Sequence, residues 1–466
     1  MRISTQLLSV AFTGLIIIAL VTLYLSKFNI IKTTIFEKIT PLQQPEKVTE
    51  NTQKQLALKY FTNIIVNGKN MYMYNIYCDN RSTKKSIIGM GVIEKDQPSH
   101  CPAFDVTVTY INRKNTIHSV KLNPPPPFNN FKLGSKMFYL FTFQIFLSEE
   151  CPSKFSFNGN MTELSVIIPT PSKEKKLIGY CGGGWYGLEN ESSTSFHRLL
   201  EWFEYNILFG IHKFHLYIVK HKQLNLNSKS LQLIAYYESL GIVEITEAPI
   251  FSLDETKLTR QNVRYFQQFM LDDCIFRNAY KYHYIGIYDT DEVIVSNKYT
   301  SFKMFFEAAK NITELFPIVH QASHMRFYEK FFFANCQKYL RKEDLQHYET
   351  NSESPYFFLK YKQGRNYRID CPNCHRRSLP GKSIINPQYC LLVHAHRCVH
   401  ETKHTHNYNI PAKYMEVHHY RDVYAFAYKE FVCNSHSKTG TIDEKYKLFE
   451  KELLQNMEKT RRNANL

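Results

Sequence analysis

Three carboxylates follow a short apolar run near residue 290. Tyr284 to Tyr288 is rich in apolar and aromatic side chains and predicts a buried strand, and Asp289, Asp291 and Glu292 come directly after it. Ligands of open α/β sheets bind at the carboxyl ends of the strands, so these acids would stand where a ligand is expected. Side chains two residues apart on an extended chain point the same way. Asp289 and Asp291 can therefore converge on one ligand.

A divalent cation is the natural ligand for such a pair of acids. Carboxylate oxygens suit Mn²⁺ or Mg²⁺, and these ions keep coordination positions open for the phosphates of a nucleotide. An ordinary turn after a strand can also have the sequence Asp-Thr-Asp. The sequence on either side of the motif is needed to choose between these two interpretations.

Strands and helices alternate in the region that leads to the acids. This alternation predicts a mostly parallel, doubly wound α/β sheet. After the first strand, Gly182 to Gly184 form a turn where backbone can approach a ligand closely. The predicted elements are a strand at 177–181, a helix at 195–210, a strand at 214–219, a helix at 231–240, a strand at 242–245 and a helix at 261–280.

Composition indicates a globular protein with more than one folded unit. The chain has 466 residues, is 44% hydrophobic and carries a net charge of +16. A charge of this size could attract nucleic acid, an anionic membrane or a phosphorylated ligand. Lysine and arginine are scattered among acids without a long basic run, so we expect no nucleic-acid partner.

The N-terminus predicts a membrane anchor. Residues 7–25 are uncharged and rich in Leu, Ile and Val, which is long enough to span a bilayer as a helix. A cleaved signal peptide is the alternative, but the apolar run exceeds the usual length of a signal core and lacks a small-residue cleavage site. We therefore predict a cytoplasmic tail at 1–6, a signal anchor at 7–25, a stem at 26–55, a small β-rich domain at 56–172, a catalytic domain at 173–440 and a C-terminal helix at 441–466.

Cysteines and glycosylation sequons favour a luminal location, although more lysines follow the span than precede it. The 11 cysteines fit an oxidising compartment in which disulfides form, with a connectivity that the sequence does not define. Cys371 and Cys374, with Cys390 and Cys398, could instead imitate a zinc site. Sequons for N-glycosylation begin at Asn80, Asn160, Asn190 and Asn311.

Several blocks of the sequence, in the same order, resemble glycosyltransferase family 92. The resemblance extends over about residues 177–421. Characterised members of this family are single-pass proteins of the secretory pathway that transfer galactose from UDP-galactose onto glycans. The blocks are Leu200-Glu201-Trp202-Phe203-Glu204-Tyr205-Asn206, Phe214-His215-Leu216-Tyr217, Asp273-Cys274-Ile275-Phe276-Arg277-Asn278, Tyr288-Asp289-Thr290-Asp291-Glu292-Val293-Ile294-Val295, Lys382-Ser383-Ile384-Ile385-Asn386-Pro387, Val393-His394 and His418-His419-Tyr420-Arg421.

The resemblance implies a nucleotide-sugar transferase fold of the GT-A type. Its DxD motif is similar to Asp289 and Asp291, with Mn²⁺ or Mg²⁺ bridging the two phosphates of the donor. A third, histidine ligand of the metal is common in this fold class, and His394 stands in the block that would supply it. Contacts to the donor are expected from Cys181, Gly182 and Asp289.

An acidic side chain is expected to act as the catalytic base. The family's known activity forms a β-linkage from an α-linked donor, which implies inversion by in-line attack. Glu292 and Asp273 are the candidate catalytic residues, and Asp272 is an alternative. Glu201 and Glu204 lie one turn apart on the first helix and are expected on a solvated face.

The acceptor side has weaker candidates, His418 and His419. The predicted function is therefore a metal-dependent glycosyltransferase that moves a hexose, galactose by resemblance, from a UDP-sugar to a glycan or glycoprotein. We expect a single-pass type II Golgi protein with a luminal catalytic domain. A catalytically inactive, membrane-anchored lectin-like protein on the same fold is the alternative. A glycosidase is a third hypothesis, which metal dependence would exclude.

Overall fold

The described part of the chain begins after the predicted anchor and stem. Its residues fall into one compact unit, Lys54–Leu466. None of the helices described is long and apolar enough to cross a bilayer. The predicted anchor at 7–25 and the predicted stem at 26–55 lie outside the described residues. The computed structural model describes residues 60–66, 69–81, 85–95, 106–111, 117–122, 129–133, 136–147, 150–152, 154–157, 164–183, 193–219, 226–251, 260–315, 321–334, 336, 356–360, 363–366, 381–402, 405–422, 433, 441–443, 445 and 447–466.

The first strands of the chain form a sheet that is almost entirely antiparallel. Its order is β5-β4-β8-β9-β2-β3-β7-β6, with β1 beside β2, and only β2 and β9 pair in parallel. The strands are β1 (Thr62–Val66), β2 (Lys69–Asp79), β3 (Ser86–Lys95), β4 (Val106–Ile111), β5 (Ile117–Leu122), β6 (Asn129–Leu133), β7 (Lys136–Phe146), β8 (Lys154–Phe157) and β9 (Leu164–Ile167). This sheet occupies the region where the sequence predicts a β-rich fold.

The remaining strands build two further sheets and a hairpin, β19–β20. They are β10 (Lys176–Gly182), β11 (Phe214–Ile218), β12 (Val243–Glu247), β13 (Tyr282–Ile287), β14 (Glu292–Val295), β15 (Ala322–Phe327), β16 (Glu329–Ala334), β17 (Gln363–Asn366), β18 (Lys382–Ile385), β19 (Cys390–His394), β20 (Arg397–Glu401), β21 (His406–Ile410), β22 (Glu416–Asp422) and β23 (Thr441–Ile442). The helices are α1 (Ser193–Phe209), α2 (Ser228–Ser239), α3 (Arg260–Asn278), α4 (Phe302–Ala309), α5 (Phe357–Lys360) and α6 (Lys447–Asn463).

The central sheet has the order β12-β11-β10-β13-β18-β15-β21. Its first four strands are parallel, as predicted, and each predicted strand and helix between residues 177 and 280 is present with bounds shifted by a few residues. The expectation of a mostly parallel sheet is wrong in its second half, because β18 runs antiparallel to both β13 and β15. The fold class is therefore α/β with a mixed sheet. A smaller sheet, β14-β22-β16-β17-β23, packs beside it.

Local sequence signals explain where several helices begin and end. The side chain of Asn227 accepts a hydrogen bond from the backbone N–H of Ser230 and caps α2, and Ser301 caps α4 in the same way. Gly210 and Gly241 follow α1 and α2 with φ of 107° and 72°. Residues with a Cβ rarely adopt this conformation, so these glycines stop both helices where the sequence predicted.

The antiparallel sheet packs against α3 through a buried polar network. The carboxylate of Asp273 on α3 accepts hydrogen bonds from Asn75 Nδ2 (2.7 Å) and the Tyr77 hydroxyl, both on β2. On its other oxygen it accepts from the Tyr217 hydroxyl and from Arg277 Nε (2.7 Å). Asp273 thus joins the antiparallel sheet, the central sheet and α3 at one fully buried point.

Replacing this carboxylate should cost stability. We expect Asp273→Ala to lower the free energy of unfolding by about 2–4 kcal/mol, because four donors lose their acceptor and stay buried or half-buried. Urea unfolding followed by circular dichroism measures the change. Glu307→Ala, which removes an exposed carboxylate from α4, is the matched control and should change the free energy by less than about 0.5 kcal/mol. Equal effects of the two variants would contradict the assigned role.

Candidate active site

Asp289, Asp291 and Glu292 form a tight turn between β13 and β14, which we call the acidic turn. The backbone N–H of Glu292 donates to the Asp289 carbonyl (3.1 Å), and the backbone N–H of Asp289 donates to Glu292 Oε2 (2.8 Å). The side chain of Glu292 is fully buried, whereas that of Asp289 is 51% exposed. The two aspartates are therefore the carboxylates that a ligand can reach, and Glu292 fixes the turn that presents them.

Side chains of α1 hold the backbone on both sides of the acidic turn. Trp202 Nε1 donates to the Glu292 carbonyl (3.0 Å), and the Tyr205 hydroxyl donates to the Ile294 carbonyl (2.9 Å). Asn206 accepts from the hydroxyl of Tyr288, just before the turn. All these side chains are buried. The conspicuous sequence block at residues 200–206 is thus a helix face that fixes the position of the acids.

The first of the cations around the turn is Lys382. Because β18 is antiparallel to β13, with Ser383 opposite Ile287, its first residue lies beside the carboxyl end of β13. Lys382 Nζ is 2.8 Å from Asp289 Oδ2 and 3.3 Å from Glu292 Oε2. Burial lowers the pKa of Lys382, but the two carboxylates outweigh burial and raise it above its usual value. Lys382 is therefore a fixed, buried positive charge.

His419 is the second cation and bridges two of the acids. The antiparallel pairing of β22 with β14 sets it opposite Glu292. Its Nδ1 lies 3.2 Å from Glu292 Oε1, and its Nε2 lies 3.4 Å from Asp291 Oδ2. Burial lowers the pKa of His419, but Glu292 and Asp291 raise it to about 9. Arg198 of α1 adds a third positive charge, 3.5 Å from Asp291 Oδ2.

The pKa values of Asp291 and Glu292 are shifted in opposite directions. Burial would raise the pKa of Asp291, but His419 and Arg198 hold it well below its usual value. The pKa of Glu292 is raised, first by burial and then by the negative charges of the two aspartates, against Lys382 and His419. Asp291 is therefore ionised and ready to hold a cation at neutral pH.

The structure brings together only some of the residues that the sequence nominated. Asp289, Asp291 and Glu292 share the acidic turn. Gly182 ends β10 in the same sheet, and Cys181 forms a disulfide with Cys274 of α3. Among the described residues, disulfides also join Cys78 to Cys151, Cys336 to Cys433 and Cys390 to Cys398. The sulfurs of Cys390 and Cys398 are consumed in that bond, so the suggested zinc site is wrong for these two residues, and Cys371 and Cys374 lie outside the described residues.

Among the described residues, Asp273 and His394 have no hydrogen bond or ion pair with the acids of the turn, although burial, Arg397 and Lys382 together lower the pKa of His394. The side chains bonded to Asp273 come from β2, β11 and α3, and not from the turn. His394 ends β19 as an exposed residue, with its ring 5.8 Å from that of His396. Across the described residues, the groups of three possible metal ligands within 4.8 Å of one another do not include His394. His419, considered for the acceptor side, takes part in such a group with Asp291 and Glu292.

Lys382 begins one of the blocks that resemble the family, but no sequence pattern assigned it a role beside the acids. Glu201 and Glu204 were expected on a solvated face, and this expectation is wrong. Glu201 accepts the backbone N–H groups of Phe358 and Leu359 (2.7 and 2.9 Å). Glu204 accepts from the hydroxyls of Tyr237 and Thr460. Their partners are distant in sequence, so helical spacing alone does not show them.

A second group of possible metal ligands, Glu416, His418 and Asp443, does not suit a cation. Two lysines already neutralise it, because Lys330 Nζ lies 2.7 Å and Lys445 Nζ 3.1 Å from Asp443 Oδ2. Lys445 also pairs with Glu416, and His418 Nε2 lies 3.1 Å from Glu416 Oε1. All three side chains are buried, unlike the reachable aspartates of the acidic turn, so an ion has no open approach and this cluster is a structural ion-pair network.

Reachable acids at the carboxyl edge of parallel strands, balanced by fixed cations, define an α/β enzyme that binds its ligand at the sheet edge. The sequence model of glycosyltransferase family 92 matches residues 181–464. The chain belongs to this family and is a glycosyltransferase, which confirms the resemblance seen in the sequence. The match includes the acidic turn, Arg198, Lys382 and His419. No curated protein matches the chain.

The ionisation of His419 makes stability depend on pH. The pKa of His419 is 6.5 in its ordinary state and about 9 in the folded protein. Its stabilisation is therefore complete below pH 6.5 and is lost as pH rises through 9, by up to about 3 kcal/mol. Urea unfolding in EDTA at pH 6 to 9.5 tests this. His419→Gln should be less stable at pH 6 and should lose less stability over that range; parallel curves would contradict the assignment.

Proposed function

We propose that the protein transfers a hexose, with galactose as the first choice, from a UDP-sugar to a hydroxyl of a glycan or glycoprotein. The observation that carries the proposal is the acidic turn, where two reachable aspartates stand among Lys382, His419 and Arg198 in a member of family 92. A GT-A-like arrangement of the central sheet and inversion at the anomeric carbon belong to the same proposal.

Mn²⁺ or Mg²⁺ is the proposed cofactor, and the residues at the acidic turn fit such an ion. The ligand atoms of Asp291, Glu292 and His419 lie within 4.8 Å of one another. Asp289 and Asp291 would hold the ion together with His419 Nε2, which would give up its proton as the ion binds. The bound ion would supply positive charge that stabilises the departing UDP.

The two ring nitrogens of His419 face different carboxylates, and we assign these two acids different roles. Nε2 faces Asp291, on the reachable side, and Nδ1 faces the buried Glu292. A histidine that ligates a metal with one nitrogen is commonly oriented by a carboxylate at the other. Glu292 is therefore proposed to position His419 and the turn. The exposed Asp289 and the half-buried Asp291 remain open toward the donor.

Arg198 and Lys382 would serve the donor's phosphates. Arg198 reaches Asp291 from α1, and its planar group matches phosphate oxygens. Lys382 is buried beside Asp289, so its charge stays in place when a ligand arrives. Fixed cations that need no rearrangement stabilise a leaving anion more than mobile ones do.

The location proposed from the sequence is the lumen of the secretory pathway, most simply the Golgi, with a single-pass membrane anchor at residues 7–25. Disulfides between Cys78 and Cys151 and between Cys181 and Cys274 support an oxidising compartment. The glycan acceptors proposed here are also found in that compartment.

The transferase activity is tested by UDP release from the purified full-length chain with UDP-galactose, Mn²⁺ and mixed glycan acceptors. We expect EDTA to abolish release and Asp291→Asn to lower kcat/KM on the order of 10²–10³-fold, because the variant loses charge where the ion and phosphates bind. Glu307→Gln on the exposed face of α4 is the matched control and should keep full activity.

Other outcomes would contradict this function. Glycan binding without any UDP binding would favour the lectin-like alternative. Hydrolysis of glycosides that persists in EDTA would favour a glycosidase. Release with a UDP-sugar other than UDP-galactose would keep the transferase and replace only the sugar.

A further inference from the structure

We propose that Glu329, at the start of β16, is the general base that takes the proton of the acceptor hydroxyl. The inference rests on the transferase function proposed above. Glu329 lies outside the sequence blocks that resemble the family and belongs to the smaller sheet.

Strand register sets Glu329 on the same sheet face as the acidic turn. In the parallel pairing of β16 with β22, Phe331 is opposite His419, and the two rings stack with centroids 4.9 Å apart. Side chains two residues apart on a strand share a face, so Glu329 lies on the His419 side of β16. The pairing of β14 with β22 sets Glu292 opposite His419, on that same face. Glu329, His419 and Glu292 therefore face one space.

The carboxyl group of Glu329 lacks the partners that a structural acid has. Its Oε1 is buried and has no hydrogen-bond partner in the part of the chain that is described. Buried polar atoms are almost always paired in folded proteins, because leaving one unpaired costs roughly 1–3 kcal/mol. The residue as a whole is only half-buried, so part of Glu329 is open to solvent. An unpaired carboxylate oxygen of Glu329 beside a candidate ligand site is what we expect of a group that bonds to substrate.

The other acids considered for the base are engaged elsewhere. Glu292 is fully buried, bonded to the N–H of Asp289 and paired with Lys382. Asp273 is buried among four donors at the interface with the antiparallel sheet. Asp272 is buried too, and accepts the N–H of Val393 (2.8 Å) and the Gln268 amide (3.0 Å). Each would have to break structural hydrogen bonds to reach an acceptor.

The surroundings of Glu329 also suit proton transfer near neutral pH. Burial, and after it the negative charges of Glu292 and Asp289, raise the pKa of Glu329 to about 8 against the opposing charges of His419 and Lys382. A base works best when its pKa lies near the working pH. An ordinary surface glutamate would be a much weaker base.

The proposed step is balanced within the site. The acceptor oxygen attacks the anomeric carbon and forms the new C–O bond, while the bond from that carbon to the UDP phosphate oxygen breaks and its electron pair leaves with UDP. Glu329 takes the hydroxyl proton as the attack proceeds. Loss of the base should therefore slow the chemical step and leave donor binding intact.

Glu329→Gln tests this, because it keeps the shape of the side chain and removes the basic oxygen. With UDP-galactose, Mn²⁺ and an acceptor that the wild type uses, kcat should fall on the order of 10²–10⁴-fold. The Kd of UDP with Mn²⁺, measured by calorimetry, should stay within about twofold because donor contacts are unchanged. Glu329→Asp should recover part of the lost kcat, and Glu307→Gln should match the wild type.

The possible results distinguish the role of Glu329 as the general base from the transferase function on which that role rests. If the wild type transfers sugar and Glu329→Gln keeps kcat within about threefold, Glu329 is not the base and the transferase function stands. If Glu329→Gln loses UDP binding by the same factor as kcat, the residue shapes the donor site and the inference is overturned. If the wild type releases no UDP with any donor or acceptor, the proposed function fails, and the assignment of Glu329 fails with it.

Discussion

The structure around the site depends on neutralising three carboxylates crowded into one turn. Asp289, Asp291 and Glu292 repel one another, and Glu292 is fully buried, so the turn is stable only if cations come to it. Lys382 and His419 pair with Glu292 from opposite sides. These cations come from β18 and β22, which are distant in sequence, so the acidic turn depends on the whole catalytic fold.

This constraint accounts for the departure from a parallel sheet. An antiparallel β18 starts at the edge where β13 ends, so its first residue, Lys382, reaches the acidic turn. A parallel β18 would start at the opposite edge. In β22, adjacent side chains point to opposite faces, and His419 and His418 serve different clusters. One strand thus supplies both a ligand-binding face and a structural ion-pair network.

Local patterns in the sequence predicted much of the fold but little of the electrostatics. Hydrophobic periodicity and the glycines after α1 and α2 located the strands and helices, because those signals act within a few residues. The acids of the turn were found for the same reason. Glu201, with its partners on α5, was expected on a solvated helix face, and Asp273, with partners on β2, was expected to be a catalytic acid. Their roles depend on residues far along the chain, which spacing does not show.

We propose that His419 and the acidic turn together form the cation site that serves the donor. Crystals grown with UDP and Mn²⁺, measured at a wavelength where manganese scatters anomalously, test it most directly. We expect one strong anomalous peak between Asp291 and His419 Nε2, with Lys382 still beside Glu292. A peak at His394 and His396 instead, or bound UDP without any peak at the acidic turn, would show that the cation site lies elsewhere.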